Sequence, residues 1–322
     1  MWNNAGVPDP DPLLARVPSF AIDPVPILAG PSPVVQDDDL GPGVWVKRDD
    51  LIGASGLPGG SKLRKLAYIL AGHDGRPLST IGPIGSNWLI AAIAVCRARR
   101  WPLSVHPFRV HAYPGIGAKE RWMVEHATRR SAPSSVAVAV LRALYDGARG
   151  ARILPPGGSG AWGALAMAAA ALELADQVAR GVMPAPTAIY VPYGSGGTAV
   201  GLALGCELAG TATQVRAVRV NTRAIANPGV AAAIARAAWR ALGRPEREVG
   251  RILAQRIAWR HGQFGGEYAR PTLAGRAATA RATGFALDPA YGAKTLAALL
   301  ADRAAGDRSP VVFWNTYGAL DA

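Results

Sequence analysis

Gly59-Gly60-Ser61-Lys62-Leu63-Arg64-Lys65, residues 59–65, is the stretch on which the reading of this chain turns. It follows a Gly/Pro-rich turn at 53–60 and opens an apolar helical run through Leu63, Leu66, Ala67 and Leu70. Only five of the 35 basic residues are lysines: Lys47, Lys62, Lys65, Lys119 and Lys294. Two of them one helical turn apart therefore need a reason beyond surface charge. The positive end of a helix macrodipole favours a neutral amine over an ammonium. A neutral amine is the form that attacks a carbonyl carbon. From this stretch alone, two solvated helix charges would read the same way, and the surroundings have to decide.

Outward from it, strand, glycine turn and helix alternate. Residues 44–47 alternate as a short strand and run into Arg48-Asp49-Asp50-Leu51. Residues 78–82 form a strand entering Gly85-Ser86-Asn87 and a helix over 88–100, and 103–107 form another strand before mixed helix around 119–130. A strand and glycine turn at 152–160 precede a long helix over 161–179. Strands at 188–192 and 215–220 alternate with helices at 199–209 and 228–242, and a last strand covers 311–314. Residues 1–43 read as irregular and Pro-rich, with an acidic turn at Asp37-Asp38-Asp39. This alternation predicts an α/β fold with parallel-rich sheets flanked by helices.

The bulk numbers limit the partners. In 322 residues, half of them hydrophobic, 38 Gly and 26 Pro are spread along the chain, the composition of one large or two medium globular domains. The net charge of +13 comes from arginines scattered singly or in pairs, without a nucleic-acid-binding motif, so no nucleic-acid partner is expected. Cys96 and Cys206 lie far apart in apolar helical segments and read as reduced residues of a cytoplasmic protein. Residues 1–12 lack the apolar core of a signal peptide, and the apolar run 161–174 is too short to span a membrane.

Gly194-Ser195-Gly196-Gly197-Thr198 sits between a strand and a helix, where backbone N–H groups and the helix N-terminus suit an anion. The same residues fit G-x-G-x-x-A, a dinucleotide pattern. The next strand, however, ends in Asn221-Thr222-Arg223, with no carboxylate for a ribose and only Arg223 to favour a phosphorylated one. A lysine able to take an aldehyde, a downstream phosphate cup and the polar turn Ser86-Asn87 together suit pyridoxal 5'-phosphate.

The ordered series Val46-Lys47-Arg48-Asp49-Asp50-Leu51, Gly59 to Leu66, Gly85-Ser86-Asn87, Pro156-Gly157-Gly158-Ser159, Gly194 to Thr198, Leu287-Asp288-Pro289-Ala290-Tyr291 with Lys294, and Asn315-Thr316-Tyr317-Gly318 resembles the 1-aminocyclopropane-1-carboxylate deaminase and D-cysteine desulfhydrase family. The resemblance spans roughly 44–320. It implies the two-domain, tryptophan-synthase-β-like fold of type II pyridoxal-phosphate enzymes. A small α/β domain over 52–158 would be inserted in a large one built from 1–51 and 159–322, with the cofactor in the cleft between them. It implies Lys62 as the Schiff-base lysine, Lys65 as a phosphate contact, Asn87 as donor to the cofactor's phenolate oxygen and Ser86 as the serine facing substrate. Gly194, Ser195, Gly196, Gly197 and Thr198 match the phosphate cup, and Tyr291 and Tyr268 the tyrosines over the substrate. A homodimer acting on a small amino acid is the family expectation.

Departures from the family pattern bear on the chemistry. Ser61 replaces an Asn, Trp88 stands where His or Gln is usual, and the late His-Thr-Gly-Gly turn has become Asn315-Thr316-Tyr317-Gly318. Gly292 replaces the Glu or Thr after the family's tyrosine, removing a partner of the pyridine nitrogen that Thr316 would replace with a neutral hydrogen bond. The expectation is a lyase or deaminase releasing ammonia and a 2-oxo acid, closer to D-cysteine desulfhydrase than to cyclopropane opening. The alternative is a diverged member that keeps the cofactor site with catalysis lost or redirected.

Overall fold

The computed structural model describes residues 11–110 and 116–317; residues 1–10, 111–115 and the quoted Gly318 lie outside them. Among the described residues the strands are β1 (Val34–Gln36), β2 (Val44–Arg48), β3 (Leu78–Pro83), β4 (Leu103–Phe108), β5 (Arg129–Arg130), β6 (Arg152–Ile153), β7 (Ala188–Tyr193), β8 (Gln214–Arg219), β9 (Ile257–Arg260) and β10 (Val311–Asn315). The helices are α1 (Pro12–Arg16), α2 (Ser61–Ile69), α3 (Asn87–Ala98), α4 (Ile116–His126), α5 (Val136–Ala148), α6 (Ala161–Ala179), α7 (Gly197–Ala209), α8 (Pro228–Ala241), α9 (Val249–Arg256), α10 (Leu273–Arg281) and α11 (Gly292–Ala304).

Two sheets result, as the alternation predicts. One has the order β1-β2-β10-β7-β8-β9, parallel except for β1, and the other β5-β4-β3-β6, parallel throughout. Parallel strands covered on both faces need continuous apolar runs, and all six residues of β7 are buried. The core runs without a break from Leu89 and Val105 beside the small sheet to Val191, Val215 and Trp314 in the large one. Burial pushes the Cys96 and Cys206 thiols up, to about 12 and about 11. Among the described residues, no helix is long and apolar enough to cross a membrane.

The structure departs locally from the periodicity. The helix expected over 119–130 ends at His126, because Arg129 and Arg130 pair with Ser104 and Val105 as the edge strand β5. Residues 1–43 are not wholly irregular. Asp11 accepts the N–H groups of Leu13 and Leu14, and Pro12 opens the short helix α1, while Val34–Gln36 pairs with β2. Helix α7 starts at Gly197, two residues earlier than expected, so the end of the glycine turn is its first turn.

One ionic cluster anchors α2. Arg64 donates to both oxygens of Glu173, at 2.8 and 2.9 Å, and through Nε to Asp49 at 3.0 Å. Lys47 on β2 donates to Glu173 at 2.5 Å, to Gln177 at 2.6 Å and to the Ser32 carbonyl. Asp49 also accepts from Ser61 Oγ at 2.6 Å and Trp314 Nε1 at 2.8 Å. All four charges are buried. Burial works against ionisation of Glu173, yet Arg64 and Lys47 hold its carboxyl down at about 2.

Candidate active site

The start of α2 is fixed by the far end of the chain's last strand. Gly60 has φ +55°, and a Cβ there would stand 2.1 Å from the Thr316 carbonyl oxygen, so glycine is required. That oxygen takes the Ser61 N–H at 2.9 Å, satisfying one of the helix's orphan donors. From this start, Ser61 and Arg64 face Asp49, and Lys62 and Lys65, likewise three residues apart, lie around the helix toward the glycine turns.

A cleft of about 440 Å³ opens there, lined by Lys62, Ser86, Asn87, Gly157, Gly194, Ser195, Gly196, Thr198, Tyr268, Tyr291, Thr316 and Tyr317 among others. Lys62 Nζ donates to the Gly157 carbonyl at 3.0 Å. Burial lowers its amine to about 8. The Lys65 amine lies beneath, 3.3 Å from where a Cβ on Gly197 would stand, and burial and then the Lys62 charge push it well below the usual lysine range. Among the described residues, neither amine has a carboxylate in ion-pair distance.

The glycine turn supplies more donors. Helix α7 begins at Gly197 with Gly196 as N-cap, φ +95°, and no side chain capping its first N–H groups. Ser159 Oγ donates to Ser195 Oγ at 2.5 Å. Two amines, an uncapped helix N-terminus and two hydroxyls form a set of donors facing no anion among the described residues. That is the complement of a phosphate and of an aldehyde awaiting an amine, and pyridoxal phosphate fits it.

Of the residues to which the sequence reading gave a catalytic or cofactor-binding role, all line this cleft except Lys65 and Gly197, and the Lys65 amine lies against Gly197. Ser86 is the N-cap of α3 and accepts the Trp88 N–H at 3.2 Å. Asn87 follows it, nearly buried. The Tyr268 and Tyr291 hydroxyls are hydrogen-bonded to each other, their rings edge to face at 6.1 Å, and burial pushes the Tyr268 phenol up to about 12. Trp88 is buried behind the floor, its indole N–H donating to Thr80 at 2.9 Å and its ring filling the space a side chain at Gly158 would take. At Gly292 a Cβ would stand 3.1 Å from Leu287 Cδ2, so Leu287 occupies the room a longer residue would use.

Three features escaped the sequence. Glu173, in the Ala-rich helix α6, holds the cations behind α2. Lys119 Nζ donates to Asn87 Oδ1 at 2.7 Å and to Asp288 Oδ2 at 2.6 Å. The Tyr317 hydroxyl is buried with no partner among the described residues. The only early signal for Lys119 was the rarity of lysine in this chain.

Comparison with known proteins shows the family. The family described as Pyridoxal-phosphate dependent enzyme matches residues 25–316. A D-cysteine desulfhydrase of Yersinia pestis is 32% identical over 308 residues, covering 88% of each chain. A nocardicin C-9' epimerase of Nocardia uniformis is also 32% identical, over 92% of this chain and 93% of its own length. Among solved structures, an ACC deaminase homologue superposes with a TM-score of 0.77 at 23% identity, covering 96% of this chain and 95% of that one.

Proposed function

We propose, from the premise that this chain belongs to the pyridoxal-phosphate dependent enzyme family, that it is a lyase or deaminase that breaks a Cβ bond of a small amino acid and releases ammonia and a 2-oxo acid. The observation that carries this is the pair of carboxylate-free amines, Lys62 and Lys65, beside the uncapped N-terminus of α7. Lys62 would hold the cofactor's aldehyde carbon; Lys65, Ser195, Gly196, Gly197 and Thr198 its phosphate; Asn87 its phenolate oxygen; and Thr316 its ring nitrogen. Gly194 lines the same cleft, beside the Tyr291 ring. When bound, pyridoxal phosphate supplies the electron sink for charge left at the α-carbon.

The chain's own groups do the rest. Lys62 Nζ, facing the cleft from the start of α2, would be the group that takes the α-proton. Ser86 orients the substrate. The Tyr268–Tyr291 pair holds a proton between two oxygens and passes it to the departing group through Tyr291 Oη. The Tyr268 phenol stays a neutral donor, because burial disfavours its charged form.

β-Elimination of the D-cysteine desulfhydrase kind is preferred to cyclopropane opening. At Gly292 no side chain reaches the ring, and Leu287 fills the space, so no carboxylate would reinforce the electron sink. A leaving group that departs readily makes the smaller demand. The same observation favours a second reading, a cofactor site kept with its catalysis redirected, as in a proton removed and returned at one carbon.

A spectrum of the protein with pyridoxal phosphate, followed by ammonia release from a panel of D-, L- and cyclic amino acids, tests both. Turnover of a simple amino acid carries the first reading; a bound cofactor with no ammonia from any of them carries the second. The proposal extends to a division of the chain at 52–158, a cytoplasmic setting and a homodimer. The exposed stripe Val138, Leu141 and Tyr145 on α5 offers an apolar face to a second copy, which sedimentation would detect.

A further inference from the structure

We infer that Lys119 is a positioning residue that sets the polarity of Asn87, forcing that amide to offer the cleft a donor and never an acceptor. Lys119 stands on α4 with its side chain buried. Its Nζ donates to Asn87 Oδ1 at 2.7 Å and to Asp288 Oδ2 at 2.6 Å, while Asn87 Nδ2 donates to Asp288 Oδ2 at 3.1 Å. An ammonium has no lone pair to accept with, and an ion-paired carboxylate has no proton to donate. The two orientations of the amide, ordinarily close in energy, are therefore unequal here: turning it over would set N–H against ammonium and carbonyl against carboxylate. The second N–H of Asn87 has no acceptor among the described residues, and Asn87 lines the cleft. It is the group the amide has left to give.

The cluster also joins the two sheets. Asn87 and Lys119 belong to helices α3 and α4 that flank the small sheet, and Asp288 to the loop before α11 on the large one. Asp288 Oδ1 accepts the N–H groups of Ala290 and Tyr291 at 2.8 and 3.1 Å, so the carboxylate that holds Lys119 also sets the loop carrying Tyr291. On another side the ammonium lies 5.2 Å from the centre of the Tyr317 ring, a cation–π contact. A lysine this enclosed is costly unless it is paired, and of its partners, Asp288, the Tyr317 ring and Asn87, the amide is the one that lines the cleft with an N–H to give.

The inference rests on the cofactor reading above, in which Asn87 meets the phenolate oxygen. Apo protein is titrated with pyridoxal 5'-phosphate and with its 3-deoxy analogue, which lacks that oxygen, by quenching of tryptophan fluorescence. Wild type is expected to prefer the hydroxylated cofactor about tenfold or more, the scale of one hydrogen bond to a charged group. In Lys119→Met and Lys119→Gln the preference falls several-fold, since the ammonium that holds Asn87 Oδ1 is gone and only the Asp288 carboxylate still opposes the turned amide. In Lys119→Arg, a cation that only donates, it is retained. An unchanged preference in a folded Met or Gln variant overturns the inference, and so does failure of both to fold, which would assign Lys119 to stability alone. If wild type binds neither compound, the cofactor reading itself has failed.

Discussion

Two faces of one helix show opposite treatments of charge. On one side of α2, Arg64 meets Glu173 and Asp49, and Lys47 completes a cluster in which every buried charge has an opposite partner. On the other, Lys62 and Lys65 stand beside glycine turns with no carboxylate in ion-pair distance among the described residues. The residues are neighbours in sequence and alike in type. A compensated charge is part of the frame, and an uncompensated pair of amines is a request for a ligand.

The sharpest way to break this contrast is Lys62→Ala. It should abolish the visible absorption band of the bound cofactor and cut turnover on the order of a thousandfold or more, as loss of a nucleophile and base together does; a persisting band would remove the site. Next comes Arg64→Met, expected to cost about 3–5 kcal/mol in a denaturant melt by leaving Glu173 and Asp49 short of a cation in the interior. On the opposite face Lys65→Met should leave the cofactor-free protein as stable as wild type or more so, because an enclosed amine is removed. Its affinity for pyridoxal phosphate should fall about ten- to a hundredfold. Equal destabilisation by both substitutions would erase the distinction between the faces.

The finest test is pH. The Lys62 amine, lowered to about 8 by burial, is protonated and unreactive below that value and neutral above it. The rate of cofactor capture should therefore climb about tenfold per pH unit toward 8 and level off beyond it. Stopped-flow absorbance would show this; a rate still climbing into the ordinary lysine range means the amine is not enclosed.

The fold was largely legible because parallel strands and glycine turns leave local marks: the apolar run 188–192 and the glycines at 194, 196 and 197 are each dictated by nearby backbone needs, and the lysine pair at 62 and 65 stands out because lysine is rare in this chain. Arg129–Arg130 was misread because its strand exists only through β4. Glu173, Lys119 and Asp288 gave little signal, since a buried ion pair is made by residues far apart in sequence whose types alone name no partner. The cup residues were visible, and the groups that aim them were not.

Strand β10 lies between β2 and β7 in the large sheet. During synthesis, then, β2 and β7 emerge with open hydrogen-bonding edges and wait for more than a hundred further residues, 194–310, before the strand that joins them leaves the ribosome. The Thr316 carbonyl that seats the lysine helix arrives with it. The seat of the lysine helix is thereby completed only after the central strand of the large sheet exists, and until then two sheet edges lack their partner.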